Sequence, residues 1–302
     1  VLMKTAERSS RTARRSRTLA LLIACRPRQW LKNTLVFAAP LASGTLLSTR
    51  SLTHAAIAFA AFCLAASGTY LLNDAADLER DRRHPRKRHR PLASGAVPVG
   101  VARTLAVVLI VAAPAVAALT GAWRLPAVVA AYLALTLAYT VWLKHQVVVD
   151  LVAVAGCHVI RAFAGAVAID VVASSWFLVV ISLGALQLVA GKRESELRDQ
   201  GVCGTRETLA AYPLAYLGHV RAMCSGAMIV TYCLWALQVH PEGGPFWYGV
   251  SIVPLVLIVL RHNLLVERGE AEEPEELALR DRPMQIFVGL LVILLLIAVY
   301  AT

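Results

Sequence analysis

About nine windows of roughly 18 or more mainly apolar residues recur along the chain, each as long as a helix needs to be to cross the hydrocarbon of a bilayer. They begin near Leu31, Leu52, Val99, Leu125, Val147, Ser175, Leu209, Phe246 and Gln285. Hydrocarbon offers no hydrogen bonds, so a backbone crossing it must satisfy its own, and the windows predict α-helices. Composition agrees, with 58% apolar residues among 302 and a mean hydropathy of +0.63, where soluble domains sit at about 45–50% apolar. The expected fold is all-α, a polytopic membrane protein of about nine transmembrane helices. The windows at Leu31 and Leu125 carry the weakest signal.

Lys and Arg divide cleanly if loops alternate sides. One set of segments holds Arg8, Arg11, Arg14, Arg15, Arg17, Arg26, Arg28 and Lys32, the loop from Arg80 to Arg90, Lys144, then Lys192, Arg193, Arg198 and Arg206, and finally Arg261, Arg268, Arg280 and Arg282. The opposite loops hold Arg50 and Arg124. By the positive-inside rule the N-terminus and the charged motifs face the cytoplasm, and an odd number of spans puts the C-terminus outside. The net charge of +11 is spread over loops between spans rather than gathered on one module. That argues against nucleic acid and for anionic membrane lipids and an anionic substrate.

Residues 1–25 read as a basic cytoplasmic N-terminal tail and residues 26–302 as a single transmembrane catalytic domain. Arg14 and Arg15 followed by the apolar run to Cys25 look like an export signal ending in a lipidated cysteine, but Arg26, Arg28 and Lys32 follow at once and argue against translocation. Cys25, Cys63, Cys157, Cys203, Cys224 and Cys233 form no Cys-x-x-Cys pair and read as small core residues.

The chemistry concentrates where the second apolar window runs into charge. If the helix continues, Asn73, Asp74, Asp77 and Asp81 share one face, because offsets of three, four and seven residues return to the same side. Carboxylates crowded there repel one another unless a cation intervenes, and Mg²⁺ is the hard ion that one or two carboxylates hold together with substrate phosphates. The alternative is a solvated helix end whose acids pair with Arg80, Arg82 and Arg83. Just downstream, Arg86, Lys87, Arg88 and Arg90 supply cations for phosphate oxygens, although topology alone would also place them there.

Other candidates carry both a bland and a functional meaning. Arg26, Arg28, Trp30, Lys32 and Asn33 are either an interfacial anchor or a substrate-binding set. Tyr139 and Lys144 share that ambiguity. Lys192 and Glu196 stand four residues apart and form an intrahelical pair or a phosphate site. His158 and Arg161 fall at mid-depth in a span, where charge is costly, with Asp150 as a partner for His158.

Taken together, Arg26-Pro-Arg28-x-Trp30-x-Lys32-Asn33, Asn73-Asp74-x-x-Asp77-x-x-x-Asp81, His84-Pro-x-Lys87-x-x-Arg90-Pro-x-x-Ser94-Gly95, Tyr139-x-x-x-Leu143-Lys144 and Gly191-Lys192-Arg193-x-x-Glu196-Leu197 resemble the UbiA superfamily of intramembrane prenyltransferases. The first and third charged segments stand in corresponding places, which hints at an internal duplication. Superfamily members that ionise an allylic diphosphate carry two aspartate-rich motifs, and here Lys192, Arg193 and Glu196 stand where the second is expected. Within the superfamily the chain looks most like the branch that moves a phosphoribosyl group onto a polyprenyl (decaprenyl) phosphate, which this departure supports, and the segment from Glu273 to Arg282 is similar to that branch as well.

The resemblance implies a UbiA-like helical bundle with cytoplasmic active-site loops. It implies transfer from 5-phosphoribosyl 1-diphosphate, with Mg²⁺, at an early step of lipid-linked arabinose donor synthesis for cell-wall arabinan. Asn73, Asp74, Asp77 and Asp81 would hold the metal, and Asp74, Asp77, Lys87, Arg90 and Lys192 would be catalytic. Arg28, Lys32, Asn33, Asn73, Asp81, Ser94, Tyr139, Lys144, Arg161, Arg193 and Glu196 would bind substrate. A homo-oligomer is compatible with this. The competing expectations are a prenyltransferase acting on an aromatic or other small acceptor, and a membrane transporter, against which the placement of charge at one face speaks.

Overall fold

The computed structural model describes residues 18–85, 87–200, 207–238, 245–271 and 274–300. Arg86, Cys203, Arg206, Glu273 and the basic segment 1–17 lie outside them. All regular elements among the described residues are helical. We label them α1 (18–24), α2 (Thr49–Ala76), α3 (Leu78–Arg83), α4 (Val99–Ala117), α5 (Arg124–Val141), α6 (Val149–Ala168), α7 (Ser175–Gln200), α8 (Leu214–Gln238), α9 (Pro245–Glu267), α10 (Pro274–Arg280) and α11 (Arg282–Tyr300).

Eight helices among the described residues are long and apolar enough to cross a membrane: α2, α4, α5, α6, α7, α8, α9 and α11. The window expected near Leu31 is not a long α-helix. It forms a 3₁₀ helix over Pro27–Phe37 followed by one short helical turn, Ala38–Ala42. Two features account for this: Pro40 lacks the N–H that a helix interior uses, and tertiary bonds draw this stretch along α2. Arg26 reaches Asp74, Trp30 Nε1 donates to Ser67, and Asn33 Nδ2 donates to the Cys63 thiol. Partner numbers fall as its own numbers rise, so it runs antiparallel to α2.

The chain divides into two compact units, one built from the described residues up to Asn33 with Phe59–Leu133, the other from Thr34–Ala58 with Ala134 onward. In the first, Ala24 of α1, Leu71 and Ala75 of α2, Leu92 and Val97 of the following loop, and Ala102 and Ala106 of α4 make one buried cluster. Small residues are what let helices approach closely where lipid gives no hydrophobic drive for association. Gly68 shows the consequence, since a Cβ there would lie 2.8 Å from the Ile110 side chain. The outward face of α4 carries exposed Val101, Val107, Val108 and Val111, as expected of a helix solvated by lipid.

In the second unit, α7 packs on α6 and α8, and α9 packs on α8 and α11. Leu151 and Ala155 of α6 meet Ala185 and Val189 of α7 and Leu217 of α8 in one buried cluster. Tyr232, Ala236, Tyr248, Leu255 and Ala298 make another. Among the described glycines the tightest approach is at Gly165, where a Cβ would stand 2.0 Å from the Val36 carbonyl oxygen. Thiols are free at all described cysteines: Cys25, Cys63, Cys157, Cys224 and Cys233.

Candidate active site

The acidic stripe keeps its helical phase across a one-residue interruption. Helix α2 ends at Ala76 and α3 begins at Leu78, yet the Asp77 N–H donates to the Asn73 carbonyl at 2.9 Å and the Asp81 N–H to the Asp77 carbonyl at 2.8 Å. Asp74 and Asp81 are buried, Asn73 and Asp77 are half-buried, and Glu79, Arg80, Arg82 and Arg83 point outward. The alternative of a solvated end paired with Arg80, Arg82 and Arg83 does not describe Asp74 and Asp81. Arg82 pairs instead with exposed Glu79 at 2.8 Å.

Buried carboxylates demand counter-charge, and two arginines supply it. Arg26 Nη2 donates to Asp74 Oδ1 at 2.5 Å, and Arg90 Nη1 donates to the same oxygen at 3.2 Å and to Asp81 Oδ2 at 2.6 Å. Arg26 has a left-handed backbone, φ 52°, and its guanidinium lies 4.9 Å from the centre of the Tyr70 ring, a cation–π contact that fixes its aim. Arg90 reaches inward because the loop after α3 folds back on itself. Ser94 N–H donates to the Arg90 carbonyl, Val97 N–H to the Pro91 carbonyl, and Leu92 and Val97 are anchored in the core. Gly95 has φ +80°, which glycine adopts without strain.

Among the described residues no three His, Cys, Asp or Glu side chains form a ready-made metal cluster. The donors nevertheless fit a hard divalent ion held by one or two carboxylates with the rest of its shell from phosphate and water. Oxygen-bearing Asn73, Asp74, Asp77 and Asp81 occupy one helical face, and cationic Arg26 and Arg90 stand beside them.

The second unit has its own charged network. Gly191 to Asp199, the charged end of an apolar window, forms the last turns of α7, which makes Lys192 and Glu196 an intrahelical pair. Arg193 is buried there. Its Nη1 donates to Glu196 at 2.9 Å, its Nη2 donates to the Tyr139 hydroxyl at 3.2 Å, and its Nε faces Asp150 at 3.5 Å. Lys192 is about one-third exposed, with its Nζ 3.8 Å from Glu196. Arg193 is thus an internal strut, and Lys192 is the cation that solvent reaches. Asp150 does not partner His158, whose Nδ1 meets the Val154 carbonyl one turn back.

Three other expected substrate contacts have partners within the protein. Asn33 is fully buried against Cys63, Lys32 donates to Gln29, and Arg161 is buried and donates to the Cys157 carbonyl. Ser94 donates to the Pro91 carbonyl and shapes the turn that carries Arg90. Lys87, Arg28, Tyr139 and Lys144 are half-buried or exposed, so a ligand can reach them.

A model of the UbiA prenyltransferase family matches residues 33–291. The chain belongs to the UbiA prenyltransferase family. Among its UbiA relatives, decaprenyl-phosphate phosphoribosyltransferase of Mycobacterium tuberculosis is 43% identical over 273 residues, covering 87% of this chain and 88% of that protein. The protein of the same name from Corynebacterium glutamicum is 40% identical over 288 residues, covering 93% and 86%. A solved UbiA homolog from Archaeoglobus fulgidus, bound to DMAPP and Mg²⁺, superposes with a TM-score of 0.73 at 16% identity over 93% of this chain and 99% of that one. The UbiA homolog from Aeropyrum pernix gives 0.63 at 22% identity over 86% and 96%. These solved structures establish the fold.

Sequence reasoning overlooked several residues of this UbiA chain. Arg26 reads from sequence as part of an anchor or of a substrate-binding set, and its bond to Asp74 spans 48 residues. Buried Arg221 binds Glu194 at 2.7 Å, and a lone arginine within an apolar window was the available signal. Tyr212 gave no signal at all.

Proposed function

We propose that the chain transfers a 5-phosphoribosyl group from 5-phosphoribosyl 1-diphosphate to a polyprenyl phosphate, decaprenyl phosphate, with release of diphosphate. The carrying observation is 40–44% identity, over most of both lengths, to proteins named decaprenyl-phosphate phosphoribosyltransferase. The replacement of a second acidic motif by Lys192, Arg193 and Glu196 supports the same reading, since it suits a phosphate better than a second metal. On this reading the enzyme works at the cytoplasmic face of a bacterial plasma membrane, early in the supply of lipid-linked arabinose for cell-wall arabinogalactan.

In the transfer a phosphate oxygen of the acceptor bonds to the anomeric carbon while the bond from that carbon to diphosphate breaks, and the electron pair leaves with diphosphate. Asn73, Asp74, Asp77 and Asp81 would hold Mg²⁺, which when bound supplies Lewis-acid charge for the leaving diphosphate. Lys87 and Arg90 neutralise its remaining oxygens, as preorganised cations do best where charge grows. Arg26 supplies counter-charge to Asp74. Lys192 binds a phosphate of the donor, its sugar 5-phosphate, and Arg193 and Glu196 fix the helical turn from which it extends. Arg28, Tyr139 and Lys144 orient substrate phosphates. The acceptor oxygen is already anionic, so no general base is required.

Purified protein in lipid nanodiscs, given decaprenyl phosphate, Mg²⁺ and either ribose-labelled donor or labelled prenyl diphosphate with an aromatic acceptor, tests this. Ribose label in the lipid fraction supports the proposal. Prenyl label on the aromatic acceptor, with none from ribose, overturns it.

A further inference from the structure

Two residues that no sequence motif marks converge on the turn between α5 and α6. This turn carries Lys144 in a 3₁₀ segment, Leu143–His145, and ends at Val148, whose φ is 69°. A β-branched residue in the left-handed region is strained and persists only where surrounding contacts impose it. The Val148 N–H donates to the Tyr212 hydroxyl at 2.5 Å, and that hydroxyl donates to Asp150 Oδ1 at 2.6 Å. Thr208 Oγ1 donates to the Lys144 carbonyl at 3.3 Å. Tyr212 is buried and stacks on Tyr216 at 5.9 Å, so its ring cannot drift from the turn.

We infer that Tyr212, with Thr208, is a positioning residue for phosphate binding: together they clamp the Lys144–Val148 turn and so set where the Lys144 ammonium stands. The clamp uses both capacities of one phenol. Its proton goes to Asp150, which leaves the oxygen lone pairs for Val148, and burial with the Asp150 carboxylate beside it pushes ionisation of the phenol above its ordinary range. The hydroxyl therefore stays a donor at any physiological pH. Phenylalanine would keep the ring and its packing but leave the Val148 amide and an Asp150 oxygen without this partner. A turn whose strained residue loses its tether relaxes, and Lys144 moves with it. The inference rests on the proposed transfer reaction, because it assigns Lys144 to a substrate phosphate.

The test is steady-state kinetics of the whole chain in nanodiscs, varying the donor and then the polyprenyl phosphate, for Tyr212→Phe, Lys144→Ala, the double variant and Thr208→Val. Tyr212→Phe should raise the KM for one substrate about tenfold, as loss of a buried hydrogen bond acting on binding does, with kcat held within about twofold. Lys144→Ala should raise the same KM, and the double variant should be no worse than Lys144→Ala alone. Thr208→Val should shift the same KM in the same direction and decides the matter if Tyr212→Phe does not fold. An unchanged KM in Tyr212→Phe, or in Thr208→Val where that is the variant measured, or effects that multiply in the double variant, overturns the positioning role while transfer by the unsubstituted chain still stands. Absence of phosphoribosyl transfer by the unsubstituted chain overturns the reaction and this inference with it.

Discussion

Arg90 donates to Asp81 at 2.6 Å across a loop that folds back from α3 toward α4. The same guanidinium touches Asp74, so one cation ties together two acids seven residues apart. Both carboxylates are almost wholly buried; Asp74 keeps Arg26, and removing Arg90 would strand the charge of Asp81. Arg90→Ala should therefore cost about 2–3 kcal/mol, below the range for a fully buried pair because Arg90 itself is partly exposed. Thermal unfolding in detergent measures this, and Arg90→Lys should recover part of the loss.

Lys192 and Arg193 are neighbours with opposite roles. Lys192→Ala should leave the melting temperature within about 2 °C of the unsubstituted protein, as surface substitutions do, and raise the donor KM. Arg193→Ala leaves Asp150 and Glu196 short of a buried partner and should cost about 3–5 kcal/mol. Melting curves and donor titrations on both variants separate the roles, and equal destabilisation would show that Lys192 is structural too.

Asp281 stands between α10 and α11. Its Oδ1 accepts the Met284 N–H at 2.8 Å as a helix cap, and Arg261 binds both its oxygens, at 3.2 and 2.7 Å. The Arg261 hydrogen bonds hold the Asp281 carboxyl below its usual range. The folded state thus binds this proton more weakly than the unfolded state, so the stabilisation is present above about pH 4 and is lost as pH falls through the lower folded value. Asp281→Asn keeps an oxygen for the cap and should flatten this acid dependence, while Asp281→Ala should in addition cost about 1 kcal/mol for the cap. Unfolding measured from pH 6 downward checks both.

Gly165 leaves no room for a side chain, since an added Cβ would overlap the Val36 carbonyl. Gly165→Ala should force the Val36 segment off α6 and lower the melting temperature by at least several degrees, an overpacking cost of about 1–3 kcal/mol or more. Expression and melting of this variant beside Gly226→Ala, where nothing lies within 4 Å, give the comparison.

Apolar length made most of the bundle legible, because a helix that satisfies its own backbone is nearly the only solution in lipid. The stretch around Leu31 was not legible as 3₁₀, since what shapes it is a set of bonds to α2 at Ser67, Cys63 and Asp74. The acidic face was readable because helical phase depends on spacing alone, and it survived the break at Asp77. The partners of the buried carboxylates were not readable, because Arg26 to Asp74 and Tyr212 to Asp150 join residues 48 and 62 positions apart. The division of labour between Lys192 and Arg193 required knowing which side of α7 is packed.

The central claim is Mg²⁺-dependent phosphoribosyl transfer to a lipid phosphate, with Asp77 among the metal ligands. Mass spectrometry of the lipid product, with diphosphate quantified in the same reaction, tests it most directly for the unsubstituted chain and for Asp77→Asn. The account predicts one phosphoribosylated decaprenyl phosphate per diphosphate released, only with divalent metal, and loss of both products in Asp77→Asn. Diphosphate released without a phosphoribosylated lipid, or near-normal turnover by Asp77→Asn, would contradict it.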